Sequence, residues 1–217
     1  AGGDIAEIYH AGRDGDYALG REFWREEYRL NAKIAEYRKP IISFLHGFVM
    51  GGGVGIGCLG SDRIVCETTQ MAMPECGIGL IPDVGGTYRL AHAAGRMGEY
   101  LGLTGHRMGP GDAIYANFAD HYVPQSHWDL LKAELAAGGG VDLIARHAEQ
   151  AGFEVFATGQ HHNPPFVAPG NPPTLLAYLA AQTETLQLST ATTLITTNDP
   201  VRLAEDYAYL QHLSDGR

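Results

Sequence analysis

Six of the ten residues from Gly51 to Gly60 are glycine, and the ten before them, IISFLHGFVM (Ile41–Met50), are nearly all apolar. No other feature restricts the folding of this chain as much. An apolar strand that runs into consecutive glycines and then a helix presents unpaired N–H groups at a positive helix end. Glycine lets a ligand approach the backbone more closely than any side chain would permit. One reading is a dinucleotide turn, because Gly55-Ile-Gly57-Cys58-Leu59-Gly60 fits G-x-G-x-x-G. That reading needs an acidic residue about 20 positions further on, at the end of a second strand. Glu75 comes too early and lies in a loop-like Met-Pro-Glu-Cys-Gly. The denser triplet Gly51-Gly52-Gly53 stands closer to the strand end and favours an oxyanion-binding turn. One such donor is worth roughly 3–4 kcal/mol of barrier. Tight strand–helix packing explains one or two glycines, but less readily a triplet followed by Gly55 and Gly57.

At 217 residues, 45% of them apolar and 18% charged, the chain suits one domain with a sizeable core, or one domain and an appendage. A net charge of -10 argues against a nucleic-acid surface. Cys58, Cys66 and Cys76 lack metal-type spacing and read as buried thiols of a reducing compartment. No apolar run approaches the roughly 18 residues of a membrane span, and the polar opening AGGDIAEIYH does not read as a signal peptide. That opening also lacks an initiator Met, as in a fragment or a processed chain.

Tyr17–Tyr37 carries Leu19, Phe23, Tyr28, Leu30 and Ile34 at helical spacing, and Lys39-Pro40 ends that helix. IISFLHGFV reads as a strand buried on both faces, with His46 a core histidine, and DRIVCET as a second short strand. GGTYRLAHAAGRMGEYLGLTG and PGDAIYANFA read as helical. Beyond Gly138-Gly139-Gly140 come a Pro-rich loop holding His161-His162, then helices near Leu175–Leu188 and Pro200–Leu213.

The ordered series AGGDI, KPIISFLHGFVMGGGVGIG, MAMPECGIGLIPDVGGTYRL and LTGHRMGPGDA resembles the crotonase superfamily, the acyl-CoA hydratases and isomerases. The resemblance implies an α/β spiral core of ββα units, the ClpP-like arrangement, over residues 1–123. On that resemblance the given sequence is expected to begin inside the core, after the strands that normally precede AGGD, and residues 124–217 are expected to form a helical C-terminal extension. It also implies that the N–H groups of Gly3 and Gly52 hold the thioester oxygen. Hydratases of this family place one glutamate two positions after the glycine triplet, where this chain has Gly55, and a second in the P-E motif, here Glu75. With one carboxylate missing, hydration loses half its acid–base machinery. A carboxylate appears instead at Asp83, in IPDVGG.

Glu75 with Asp83 is similar to the 3-hydroxyisobutyryl-CoA hydrolase branch, as is REEYRLN, which puts Glu27 among the substrate contacts. The resemblance therefore implies hydrolysis of a short branched hydroxyacyl-CoA, as in valine breakdown. Gly3 and Gly52 would form the oxyanion hole. Glu75 would activate water or attack directly, and Asp83 would orient the acyl hydroxyl or the water. No metal or redox cofactor is required, coenzyme A being part of the substrate. The expected partner is the acyl-CoA, with homo-oligomer formation left open, in the cytoplasm or a mitochondrial matrix. An enoyl-CoA hydratase or isomerase, or a catalytically silent acyl-CoA binder, are the alternatives. Arg38, Lys39, Arg63 and Arg89 are available for CoA phosphates, and none is assigned.

Overall fold

The apolar run that reads as one strand folds as two. Gly47 takes φ +57, and the chain turns there, so that Ile42–Leu45 (β1) and Phe48–Met50 (β2) enter different sheets. The computed structural model describes residues 4–159, 171–193 and 198–217. They fall into two compact units, Ala1–Tyr122 and Val123–Arg217.

In the first unit β1 pairs in parallel with Asp62–Val65 (β3), from Ile42 opposite Asp62 to Leu45 opposite Val65. β3 pairs in parallel with His121–Tyr122 (β5). β2 pairs in parallel with Gln70–Ala72 (β4), Met50 standing opposite Ala72. Parallel neighbours need a crossover. The glycine-rich stretch supplies one as helix α3, Gly52–Gly57, between β2 and β3. Leu45, Val49, Val54, Val65, Met71 and Phe118 form the core of this unit. The expectation of burial on both faces fails at Phe48, which is 71% exposed and carries the Arg107 guanidinium 5.5 Å from its ring centre. His46, read as a core histidine, is exposed where the chain turns, and Cys76 is exposed while Cys58 and Cys66 are buried.

Helix α1 (Ile5–Arg13) is capped by Asp4, whose carboxylate accepts the N–H groups of Ala6 and Glu7 at 3.0 and 3.1 Å. Helix α2 (Ala18–Ala35) follows. Its apolar stripe is only partly covered, since Leu19, Tyr28 and Leu30 remain 38–47% exposed. The later helical segments form α4 (Gly86–Ala91), α5 (Met97–Thr104) and α6 (Pro110–Tyr115). α6 starts at Pro110, with Asp112 accepting the Gly109 N–H at 3.3 Å.

The second unit corrects the expectation of a purely helical extension. After α7 (Trp128–Ala136) and α8 (Asp142–Gln150), strand β6 (Val155–Gly159) pairs in parallel with β7 (Gln187–Thr192). Helix α9 (Pro172–Ala180) lies between them in sequence, and α10 (Pro200–Leu213) follows. Residues 187 and 188, expected in a helix, belong to β7. Leu186 and Leu188 alternate with polar Gln187 and Ser189, a strand period rather than a helical one. Leu176, Leu179, Leu186 and Leu210 gather into a core of their own. The Glu149 carboxylate fixes the approach to β7 by accepting the N–H groups of Glu184, Thr185 and Leu186.

Candidate active site

Register brings the glycine triplet and the P-E motif together. β2 and β4 end side by side, Met50 opposite Ala72, and the Gly51 N–H still donates to the Ala72 carbonyl at 3.2 Å. Three residues beyond Ala72 the chain enters a short 3-10 turn, Glu75–Ile78, closed by Gly79 at φ +79. Glu75 therefore sits just past the carboxyl ends of two parallel strands, where α/β sheets characteristically hold ligands. Its carboxyl packs over the start of α3. A Cβ on Gly51 would lie 2.5 Å from Glu75 Oε1, and Gly51 has φ +46. The positive φ calls for glycine there, and a side chain would in addition displace the Glu75 carboxyl.

Glu75 is 8% exposed, and its Oε2 is buried without a hydrogen-bond partner. Burial pushes its pKa up, and the charge of Asp83 adds to the rise. A hydrogen bond from the residue's own N–H opposes them without cancelling them. Such a carboxyl holds a proton more readily than an ordinary glutamate and suits acid–base or nucleophilic work.

Asp83 comes from the turn before α4. Val84 at φ +48 and Gly85 at φ +81 are both left-handed, and the Gly86 N–H donates back to the Asp83 carbonyl at 2.5 Å. From α2 the Tyr28 hydroxyl donates to Asp83 Oδ2 at 3.2 Å. Glu27, beside it, is half-buried; burial first and Asp83 second raise its pKa. The structure thus brings Glu27, Glu75 and Asp83 into one electrostatic neighbourhood. Glu27 also lines an apolar groove of about 510 Å3 formed by Leu19, Phe23 and Leu30 of α2 and Ile56 of α3.

Gly52 opens α3, and the N–H of a first helical residue has no acceptor within its helix. Gly3 and the His161-His162 pair lie outside the described residues. Arg63 and Arg89 do not wait at the surface for phosphates, since each is only 4% exposed. Arg63 forms a forked ion pair with Asp120. Burial depresses the pKa of Arg89 to about 10. Among the described residues no group of three His, Cys, Asp or Glu is arranged to hold a metal ion, and no helix is long and apolar enough to cross a membrane.

Sequence reasoning missed Tyr28, which adjoins Glu27 in REEY. It also missed the reason for Gly55, where a Cβ would meet Val84. The string PDVGG marks a sharp turn at Val84, but nothing in it shows that Val84 comes to lie against Gly55.

The chain matches the family model described as Enoyl-CoA hydratase/isomerase over residues 1–168. A second model, described as Luciferase-like monooxygenase, matches residues 126–217, most of the unit that holds β6 and β7. The chain is 41% identical over 142 residues to the probable 3-hydroxyisobutyryl-CoA hydrolase 3 of Arabidopsis thaliana, covering 65% of this chain and 38% of that protein. It is 45% identical over 137 residues to the mitochondrial 3-hydroxyisobutyryl-CoA hydrolase of Xenopus tropicalis, covering 63% and 35%. The chain therefore spans little more than a third of the length of these curated relatives. Among solved structures, an enoyl-CoA hydratase from Rhodobacter sphaeroides is 42% identical with a TM-score of 0.63, covering 98% of this chain and 61% of that one. A carnitinyl-CoA dehydratase from Mycobacterium thermoresistibile is 49% identical with a TM-score of 0.59, covering 70% and 42%.

Proposed function

The chain belongs to the enoyl-CoA hydratase/isomerase family and has the crotonase-type α/β fold, and from that premise we propose that it hydrolyses a short hydroxyacyl-CoA thioester of the 3-hydroxyisobutyryl kind. The observation that carries the reading is that the buried Glu75 carboxyl, packed on Gly51, feels the charge of Asp83 while position 55 bears no side chain for a second glutamate. The names of the relatives from Arabidopsis and Xenopus support the same substrate class.

The acyl group enters beside Glu27, with apolar surface of the α2–α3 groove at hand. The thioester carbonyl oxygen is held by the Gly52 N–H and, following the family resemblance, by that of Gly3. Glu75 takes a proton from water as the water attacks, or attacks the carbonyl itself to give a mixed anhydride that water then cleaves. In either route one water is consumed, the C–S bond breaks, and coenzyme A leaves as a thiol. Asp83, fixed by Tyr28, orients the acyl hydroxyl or the water. Neither route needs a resident metal or cofactor. Every residue in this scheme belongs to the first unit.

The reading is tested by assaying the protein with 3-hydroxyisobutyryl-CoA and with crotonyl-CoA. Thiol release from the hydroxyacyl ester alone is the expected result. Hydration of crotonyl-CoA without thiol release would replace it with a hydratase. Tight CoA binding with neither activity would mark a silent binder.

A further inference from the structure

Position 55 bears no side chain, and the space one would need is already filled. A Cβ built on Gly55 would lie 2.5 Å from Val84 Cβ, 2.8 Å from Val84 Cγ2 and 2.7 Å from the Val84 carbonyl oxygen. One of these atoms is backbone, and the other two belong to a stiff β-branched side chain, so none can swing aside. Val84 is 3% exposed and holds φ +48. A β-branched residue occupies that conformation only where its surroundings over-determine it. Glycine would adopt the same φ freely, so the side chain of Val84 has to be explained by what it packs against. It packs against the bare backbone of α3 at Gly55, and the residue before it is Asp83.

We propose that Val84 is a positioning residue that selects the reaction: by docking on Gly55 it holds Asp83 toward Glu75 and excludes a carboxylate from position 55. The Glu75–Asp83 pair and a two-glutamate pair using position 55 are then alternatives that one backbone cannot hold together. Gly55 is a condition for Asp83 rather than a lost catalytic group. The inference takes the identity of the reaction from the hydrolase reading; the packing itself does not depend on that reading.

The test uses Gly55→Ala, Val84→Gly and the double variant, with Asp83→Asn as reference. Turnover on 3-hydroxyisobutyryl-CoA is followed, and the Glu75 carboxyl is titrated by 13C NMR. Gly55→Ala should push the turn away and lower kcat by about 100-fold, the scale of an ångström of misplacement. Its Glu75 titration should move down toward that of Asp83→Asn, because the neighbouring charge has receded. The double variant should recover both in part, at best to the level of Val84→Gly, since the two side-chain contacts are gone while the residue-84 carbonyl oxygen still stands against the added methyl. Val84→Gly alone should fold and lose about tenfold in kcat with KM little changed, the mark of a lost alignment rather than lost binding. If Gly55→Ala does not fold, Val84→Gly decides alone, and wild-type turnover in it overturns the proposal. So does a Gly55→Ala protein with unaltered turnover and titration, or a double variant no better than Gly55→Ala. Absence of thiol release from the wild type would remove the hydrolase reading, while the Glu75 titrations would still decide this one.

Discussion

At the scale of single residues, Glu75 shows how function and stability oppose each other. Its carboxyl is buried, one oxygen lacks a partner, and its pKa is raised by that burial and by Asp83. The folded state therefore holds a proton over a pH range in which the unfolded chain has released it. Native stability falls as pH rises through that range, and above it the buried charge is a constant cost. Glu75→Gln has no proton to lose. It is expected to unfold at a higher temperature than wild type at pH 7, with the gap closing below pH about 4.3, the ordinary glutamate value. The same variant should lose about 10²-fold or more in kcat. Thermal unfolding across pH, paired with the thioesterase assay, checks both; a variant less stable than wild type at pH 7 would refute the account. Glu75 and Asp83 were legible as residues because each stands in a recognisable string. Tyr28 was not, because neighbours in a helix do not share a face and only the fold reveals that both approach Asp83.

At the scale of elements, the site depends on strand ends arriving together, and β3 is anchored by charge. Arg63 of β3 donates to both oxygens of Asp120 and to the Asn117 carbonyl, and the Arg63 N–H donates to Asp120 as well. Burial alone would raise the pKa of Asp120, but the Arg63 charge and its hydrogen bonds outweigh that and hold it below the usual carboxylate range. Its contribution is thus fully present above the ordinary aspartate value and disappears as pH falls through the depressed one. Asp120→Asn should cost about 3 kcal/mol near neutral pH by leaving a buried guanidinium unpaired. The deficit should shrink below pH about 4. Denaturant unfolding at pH 7 and pH 3 measures it, and an equal deficit at both would show that the lost charge is not its cause. From sequence the apolar run before the glycines looked like one strand. The turn at Gly47 leaves little trace in a run that apolar, yet it sends β1 and β2 to separate sheets and brings Gly51 to Glu75.

At the scale of the whole molecule, the chain holds two units with separate cores, and the candidate site lies wholly in the first. Leu176, fully buried in the second core, gives a test of that separation. Leu176→Ala should destabilise the second unit by about 2–5 kcal/mol while kcat and KM for the thioester stay near wild type. A parallel loss of turnover would mean that the second unit supports the site. The sequence by itself determined the family, the α/β class of the first unit and the identities of Glu75 and Asp83, because catalytic strings and turn glycines are local and survive without their neighbours. It misjudged the second unit, whose short strands β6 and β7 earn their stability by pairing with each other across α9 rather than from local propensity. The tertiary structure alone decided why Gly51 and Gly55 must be glycine. Each faces a residue more than twenty positions away, and whether a Cβ has room depends on atoms that no local stretch of sequence contains.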